Sequence, residues 1–139
     1  MDVRYLAGLF DGEGYVSLCR HHIHTSSIAL KVGVVNTYRP VLEEIKSLFG
    51  GAIYTIRKET ERHRQCYSWV ATTTFAETFL KAVLPYLHIK RRQAEIGIEF
   101  RAGVNNNQRR RETTLEEKAR REGLRAELIA LNARRVRRT

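Results

Sequence analysis

Cysteine is scarce in this sequence, and its two cysteines, Cys19 and Cys66, are far apart. Neither has the close partner that a zinc or dithiol redox motif requires, so we expect a reducing compartment. Long apolar runs are also lacking: none approaches the ~18 residues of a membrane span, and the segment after Met1 lacks a signal-peptide core. We therefore expect a soluble, intracellular protein in the cytoplasm or nucleoid, or in an organellar matrix if an organelle encodes it.

Acidic residues are outnumbered by basic ones. The 25 Lys and Arg residues against 15 Asp and Glu residues give a formal net charge of +10. Most of this excess follows residue 100, where 12 basic and 5 acidic residues give +7. Such an excess favours a polyanionic partner, either nucleic acid or an acidic membrane surface. With 42% hydrophobic residues among 139, the chain can still bury a core, which excludes global disorder and suggests one domain.

The spacing of apolar residues predicts an α+β fold. Strand periodicity occurs at residues 15–22, 28–36, 52–58 and 65–72, and helical periodicity at residues 3–10, 40–49, 75–84 and 90–103. The order helix, hairpin, helix, hairpin, helix indicates an antiparallel sheet. After a polar, basic linker at residues 103–111, Thr114 is expected to cap a last helix whose apolar stripe is Leu115, Leu124, Leu128 and Leu131. We expect a core over residues 1–103, and a basic linker with a C-terminal helix over residues 104–139.

One short segment combines small, apolar and acidic residues. Residues 6–14 read Leu-Ala-Gly-Leu-Phe-Asp-Gly-Glu-Gly. Ala7 and Gly8 are small, which permits a second helix to approach closely. Asp11 and Glu13 fall at the helix C-terminus, where the negative end of the helix dipole disfavours carboxylates by about 0.3–1 kcal/mol each. A bound cation would relieve this, and paired carboxylates suit Mg²⁺; the simpler interpretation is a Gly-rich turn with solvated acids.

This nonapeptide resembles the signature of the LAGLIDADG homing endonuclease family, in its single-motif, homodimeric type. Seven of nine positions match, with Gly12 counted as a common variant, while Phe10 is an apolar replacement and Glu13 a conservative acid. The order of the elements, Asn36 at the end of the second strand, and residues 84–94 also look like this family. The resemblance spans roughly residues 3–102 and implies the αββαββα LAGLIDADG fold, with a curved antiparallel DNA-binding sheet and extra C-terminal helices.

The resemblance implies an intron-encoded enzyme of a mobile element that cuts double-stranded DNA at specific sites. Family members of this type hydrolyse phosphodiester bonds as homodimers and leave a staggered double-strand break. We expect Mg²⁺ as cofactor, Mn²⁺ as a substitute, and Ca²⁺ to support binding without cleavage. Because the chain holds one copy of the motif, a symmetric site needs two chains, and we expect a homodimer on a long, partly palindromic DNA site with no membrane partner.

The resemblance also assigns roles by position. Glu13 and the carbonyl of Gly12 would bind metal, and Asp11 would be a structural acid at the helix end. Asn36 would order water near the metals, and Lys90 would stabilise charge at the scissile phosphate. The dimer interface is expected at Ala7, Gly8 and Phe10.

Two of these positions depart from the family pattern, and two have simpler interpretations. Glu13 is one methylene longer than the more familiar Asp, and Asn36 is one methylene shorter than the Gln often found there. Either the two changes offset each other or the metal preference differs. Asn36 could instead form a turn at a strand end, and Lys90 could be a solvated lysine that begins a basic helix.

The sheet face opposite the helices is expected to enter the major groove and contact base edges, with Lys31 and Arg57 as the strongest candidates. The expected DNA-binding residues are Ser17, Cys19, His21, Lys31, Gly33, Thr55, Arg57, Arg64 and Ser68. The register of the fourth strand stays open, because a slip of one residue would turn Tyr67 and Trp69 away from the core. The C-terminal region either packs on the core or flanks the DNA, where phosphates would meet Arg101, Arg109, Arg110, Arg111, Arg134, Arg135, Arg137 and Arg138.

Other functions compete with the nuclease. The main alternative is a cleavage-inactive LAGLIDADG protein that binds nucleic acid, as an RNA-splicing maturase or a DNA-binding regulator. A basic structural or ribosome-associated protein would explain the charge but not the nonapeptide. Among His21, His22 and His24, only His22 and His24 would share a strand face, and no third ligand or suitably spaced cysteine is apparent. Contact with DNA is therefore the better hypothesis for these histidines than metal binding.

Overall fold

The computed structural model describes residues 1–20, 27–106 and 113–136, which form five α-helices and a four-stranded antiparallel sheet. The elements are α1 (Val3–Glu13), β1 (Gly14–Arg20), β2 (Ile28–Asn36), α2 (Arg39–Phe49), β3 (Ala52–Arg57), β4 (Cys66–Thr72), α3 (Thr73–Val83), a 3-10 turn (Leu84–Tyr86), α4 (Arg91–Asn106) and α5 (Leu115–Val136). The expected α+β class and element order are confirmed. No helix in these ranges is long and apolar enough to cross a membrane.

The first helix passes directly into the first strand. The Asp2 side chain caps α1 by accepting the Arg4 backbone N–H at 2.8 Å. The helix then continues to Glu13, beyond the expected end at residue 10. Gly14 permits the abrupt change to β1, since a Cβ there would lie 2.2 Å from the Phe10 ring. The acidic end of α1 is therefore held rigidly against the sheet.

The sheet has the order β1-β2-β4-β3, with one face against the helices. Val16 pairs with Val32, and Val34 pairs with Trp69, and these side chains are buried on the helix side. The Trp69 indole donates to the Gly50 carbonyl at 2.8 Å, which fixes the register of β4. The expected inward placement of Trp69 is confirmed, and Cys66, Ser68 and Val70 lie on the opposite face of the sheet.

Aromatic side chains join the helices to the sheet. The Phe79 ring of α3 contacts Phe10 of α1, Phe49 of α2 and Trp69 of β4, with ring centroids 5.0–5.2 Å apart. Phe10, Trp69 and Phe79 have no exposed surface, and burial of one such side chain stabilises a fold by about 1.5–3 kcal/mol. This cluster fixes α1 relative to the sheet.

The last helix, α5, packs against β1 and α4. The Thr114 hydroxyl accepts the Glu117 backbone N–H at 3.1 Å and caps the helix as expected. Leu128 is buried, and Leu124 and Leu131 pack against the core. The expected stripe is wrong at Leu115, which is 83% exposed because it lies about half a turn around the helix from Leu124, Leu128 and Leu131.

Polar side chains of α5 also cover the open edge of β1. Arg125 Nε donates to the Leu18 carbonyl at 3.1 Å, and Asn132 Nδ2 donates to the Val16 carbonyl at 3.2 Å. Because β1 is an outer strand of the sheet, these carbonyls have no neighbouring strand to pair with. The helix therefore takes the place of a further strand at this edge.

One of the expected phosphate contacts is wrong. Arg101 is 8% exposed and forms an ion pair with Glu77 at 3.2 Å between α4 and α3. Its guanidinium stabilises the helix packing and does not face solvent. Arg109, Arg110, Arg111, Arg137 and Arg138, together with the side chains of Arg134 and Arg135, lie outside the described part of the chain.

Candidate functional site

The C-terminal end of α1 is anchored by a buried carboxylate. Asp11 is 7% exposed and accepts three backbone N–H groups, from His88 at 2.8 Å, Ile89 at 3.2 Å and Lys90 at 3.0 Å. These bonds tie the last turn of the helix to the segment that precedes α4. The arrangement fits the structural role expected of Asp11, whose oxygens already accept three donors.

Lys90 completes this anchor from the other side. It is 4% exposed, and its Nζ donates to the Asp11 backbone carbonyl at 2.6 Å. Carbonyls in the last turn of a helix lack partners within the helix and carry its negative dipole end, so an ammonium group there is stabilising. The alternative of a solvated lysine is therefore wrong. We refer below to the reciprocal bonds of Asp11 with residues 88–90 as the Asp11–Lys90 clamp.

The clamp leaves Glu13 exposed at the last position of α1, next to the exposed Gly12. Because Gly14 pairs with Val34, the end of β2 that carries Asn36 lies at the same end of the sheet as the C-terminus of α1. The Asn36 Oδ1 accepts the Tyr38 backbone N–H at 2.8 Å, which is the turn-forming contact considered for it. The structure thus gathers Asp11, Glu13 and Lys90 at one helix end, with Asn36 on the neighbouring strand end.

A single chain offers few metal ligands at this position. Within residues 1–20, 27–106 and 113–136, no group of three or more His, Cys, Asp or Glu side chains is placed to hold a metal ion. The available donors are the Glu13 carboxylate and the backbone carbonyl of Gly12. Mg²⁺ accepts one or two protein carboxylates and takes its other ligands from water and phosphate. Two oxygen donors fit the small number of protein ligands that Mg²⁺ accepts.

The exposed face of α1 is narrower than the expected dimer interface. Gly8 and Gly12 are exposed, and no atom lies within 4 Å of the position that a Cβ would take at either residue. Tyr5 is 60% exposed on the same face. Ala7 and Phe10, by contrast, are 1% and 0% exposed because they lie in the core of their own chain. The expectation that these two residues form the dimer interface is therefore wrong. A partner helix could reach Gly8 but not Ala7 or Phe10.

The sheet face opposite the helices forms an open groove of about 720 Å³. Ser17 pairs with Lys31, and Cys19 pairs with Ala29, so their side chains share this face as expected. The groove is lined by Tyr15, Cys19, Arg20, Ala29, Leu30, Lys31, Tyr54, Ile56, Ser68, Val70 and Thr72. Cys19 and Cys66 are both free thiols. His21, His22 and His24 lie outside the described residues.

Two expected contacts on this face are wrong. Gly33 is buried beneath the Tyr15 ring, whose atoms would lie 2.5 Å from a Cβ at that position, so the ring rather than the glycine is presented. Thr55 pairs with Tyr67 and therefore shares the helix side of the sheet. Alternation then places Tyr54 on the groove side, a residue that is absent from the expected DNA contacts.

A bulge in β3 explains why Thr55 and Arg57, which were expected on one face of the sheet, lie on opposite faces. The pairing shifts between these two residues, and Arg57 pairs with Cys66 on the groove face. Arg64 is exposed, and its backbone carbonyl accepts two hydrogen bonds from the Arg57 guanidinium, from Nε at 3.2 Å and from one terminal nitrogen at 3.1 Å. This guanidinium is therefore held by the hairpin, while Ile56 lines the groove. Strand periodicity alone does not reveal such a bulge.

The model of the LAGLIDADG-like domain matches residues 1–93 of the chain. The chain belongs to this LAGLIDADG-like family. Its fold is similar to that of the archaeal intron-encoded homing endonuclease I-Vdi141I complexed with DNA, with a TM-score of 0.71 and 21% identity over 93% of this chain and 82% of that chain. It is also similar to the homing endonuclease I-CvuI, in complex with its target in the presence of Ca, with a TM-score of 0.59 and 20% identity over 94% of each chain.

The LAGLIDADG meganuclease I-AabMI, bound to uncleaved DNA, is a longer chain, and the match covers less than half of it. The TM-score is 0.70 at 21% identity, over 92% of this chain but 45% of that chain. At these identities the likeness shows a shared LAGLIDADG fold. No curated protein matches the chain in sequence.

Proposed function

We propose that this LAGLIDADG chain is a homing endonuclease that hydrolyses double-stranded DNA at specific sites. It acts as a homodimer with Mg²⁺, which Mn²⁺ replaces, leaves a staggered double-strand break, and binds DNA without cutting it in Ca²⁺. The observation that carries this proposal is Glu13. Its carboxylate is exposed at the end of a helix whose last turn is fixed by the Asp11–Lys90 clamp. A solvated acid held rigidly at an unfavourable dipole end is well suited to bind a cation.

The homodimer follows from the incomplete donor set. One chain supplies one exposed carboxylate at this position, and a symmetric pair of chains would supply two. The face of α1 that carries Gly8 and Gly12 is open to a second helix. The match to 45% of I-AabMI leaves room in that longer chain for a second such unit, which supports two units for each active assembly.

Each site residue then has a role that its surroundings support. Glu13 and the Gly12 carbonyl of each chain would hold divalent ions, which supply Lewis acidity toward a phosphodiester oxygen. Lys90 keeps the end of α1 in place through the Asp11 carbonyl and contributes positive potential there. Asn36 is held in a turn by its bond to Tyr38, and its amide lies at the end of the sheet next to the C-terminus of α1, where it would orient water.

DNA as the substrate is supported by charge and by the relatives. The chain carries a net charge of +10, and Lys31 and Arg20 line the groove of the outer sheet face. I-Vdi141I and I-AabMI are both described in complexes with DNA. A sheet surface of this kind enters a major groove, where base edges are distinguishable, so we expect each chain to read one half of a partly palindromic site.

The variant Glu13→Gln tests the nuclease. Duplexes selected by the wild-type protein from a random library are cloned into a plasmid and incubated with Mg²⁺. We expect wild type to linearise the plasmid and Glu13→Gln to leave it intact, because the variant lacks the charged ligand. Both proteins should shift the same duplex on a gel with similar affinity.

Glu116→Gln is the matched control, since Glu116 is an exposed acid in the first turn of α5. It should cut like wild type. Cleavage by Glu13→Gln at the wild-type rate would remove Glu13 from the site and contradict the proposal.

A cleavage-inactive nucleic-acid-binding protein is a second candidate, favoured by the burial of Lys90. Lys90 is 4% exposed and its ammonium group donates to the Asp11 carbonyl, so the side chain is not extended toward solvent. This alternative predicts a shifted duplex, or a bound and spliced RNA, with no cut in either Mg²⁺ or Mn²⁺.

A further inference from the structure

The groove on the outer sheet face has an apolar region at β3. Tyr54 is 57% exposed and Ile56 is 55% exposed, and both line the groove. Val70 and Ala29 lie on the same face. A surface that binds only phosphates would carry polar and basic side chains here, because an exposed isoleucine gains nothing from contact with a charged oxygen. The apolar region therefore favours an apolar contact.

The bulge in β3 concentrates this apolar surface. Tyr54 pairs with Ser68, whereas the next groove-side pair joins Arg57 to Cys66, so Ile56 is the extra residue of the bulge. Arg57 is bound to the Arg64 carbonyl and does not line the groove. At this end of the groove β3 thus offers an isoleucine and a tyrosine to a ligand, in place of the arginine.

The charge around the groove fits the DNA partner of the proposed function. Lys31 lies with its Nζ 6.0 Å from the centroid of the Tyr15 ring, and Arg20 lines the same groove. Phosphates and base acceptors would meet these cations, and the apolar feature that base pairs present in the major groove is the 5-methyl group of thymine. A polar base edge would lose hydrogen bonds to water against Ile56, whereas a methyl group would not.

We propose that Ile56 and Tyr54 are specificity-determining residues that read thymine, by contact with its 5-methyl group, in each half of the target site. This inference rests on the proposed function and adds a base preference to it. It requires a thymine at a fixed position in each half-site, at equal distances from the centre of symmetry, since two identical chains read the two halves.

The test replaces thymine by uracil, which differs by the methyl group alone. Duplexes are first selected from a random library by wild type. Each thymine is then replaced in turn by deoxyuridine, and dissociation constants are measured by fluorescence anisotropy in the Glu13→Gln background. We expect one position in each half-site to lose affinity roughly fourfold on removal of the methyl group, the effect of burying one methylene-sized group.

The variant Ile56→Ala assigns that effect to the bulge. It should bind the thymine duplex several-fold more weakly and should no longer distinguish thymine from uracil at that position. Leu48→Ala is the matched control, because Leu48 is a 54% exposed aliphatic residue on α2 and should keep the full difference.

The possible outcomes distinguish failure of the thymine contact from failure of the proposed function. Selection of no sequence at all would overturn site-specific binding and this inference together. Selected duplexes that tolerate uracil at every position would overturn the thymine contact alone. An undiminished uracil effect in both Ile56→Ala and Tyr54→Ala would likewise overturn the assignment to β3.

Discussion

Replacement of Asp11 by Asn should destabilise the protein far more than its small chemical change suggests. One oxygen of the carboxylate accepts the N–H of His88, and the other accepts those of Ile89 and Lys90. An asparagine has one acceptor oxygen, so its NH₂ group must face at least one of these N–H donors. The buried donor left unsatisfied costs about 1–3 kcal/mol, and loss of the charge weakens the other two bonds further. We expect Asp11→Asn to lower the free energy of unfolding by about 2–4 kcal/mol, from a total of typically 5–15 kcal/mol.

Asp2→Asn is the matched control for this change. The Asp2 carboxylate accepts one backbone N–H, from Arg4, at the exposed N-cap of the same helix, where Asn and Asp are nearly equivalent. Urea denaturation followed by circular dichroism gives both values on one scale. If Asp11→Asn shifts the midpoint no more than Asp2→Asn does, the clamp is not what fixes the end of α1.

Two further changes test the assembly and the helix packing. Gly8→Leu should leave the chain folded, because no atom lies within 4 Å of its Cβ position, but should separate the α1 helices; sedimentation would show a monomer, and an unchanged dimer would place the interface elsewhere. Burial raises the pKa of Glu77, yet hydrogen bonds from Lys81, Arg101 and Asn105 outweigh burial and hold the pKa below its usual value. The ionised form thus stabilises the fold above the unfolded pKa, and this stability is lost as pH falls through the folded pKa. Glu77→Gln, which leaves Arg101 without its charge partner, should destabilise the protein by about 3–5 kcal/mol at pH 7 and by less in acid; a pH-independent difference in unfolding free energy would contradict this.

The sequence was sufficient for the elements whose periodicity is strong. Val16, Leu18 and Leu30 alternate with polar residues, and one face of each strand is consequently buried. The placement of Trp69 toward the core was also predictable, because a large aromatic residue is stabilised most by full burial. Helix ends were less predictable: α1 was expected to end at residue 10, but the helix continues to Glu13.

The candidate site could be predicted only in part from the sequence. Glu13, Asp11 and Lys90 lie together as the resemblance implied, but the burial of Lys90 depends on contacts across 79 residues of sequence. On the outer sheet face, Thr55 was misplaced because a bulge changes the register by one residue, and the alternation before the bulge carries no sign of it. Gly33 was misread because the Tyr15 ring covers it from the neighbouring strand. These two errors on the outer sheet face concern contacts between strands rather than a property of one segment.

The cover that α5 provides for β1 has a consequence for folding during synthesis. Arg125 and Asn132 reach carbonyls that precede them by 107 and 116 residues. At about 5–20 residues per second on the ribosome, the edge of β1 waits on the order of ten seconds for these side chains to be made. During that interval the Val16 and Leu18 carbonyls are open to a strand of a neighbouring nascent chain. The rate of translation between β1 and α5, rather than the final stability, therefore sets how long each new chain is exposed to misassembly.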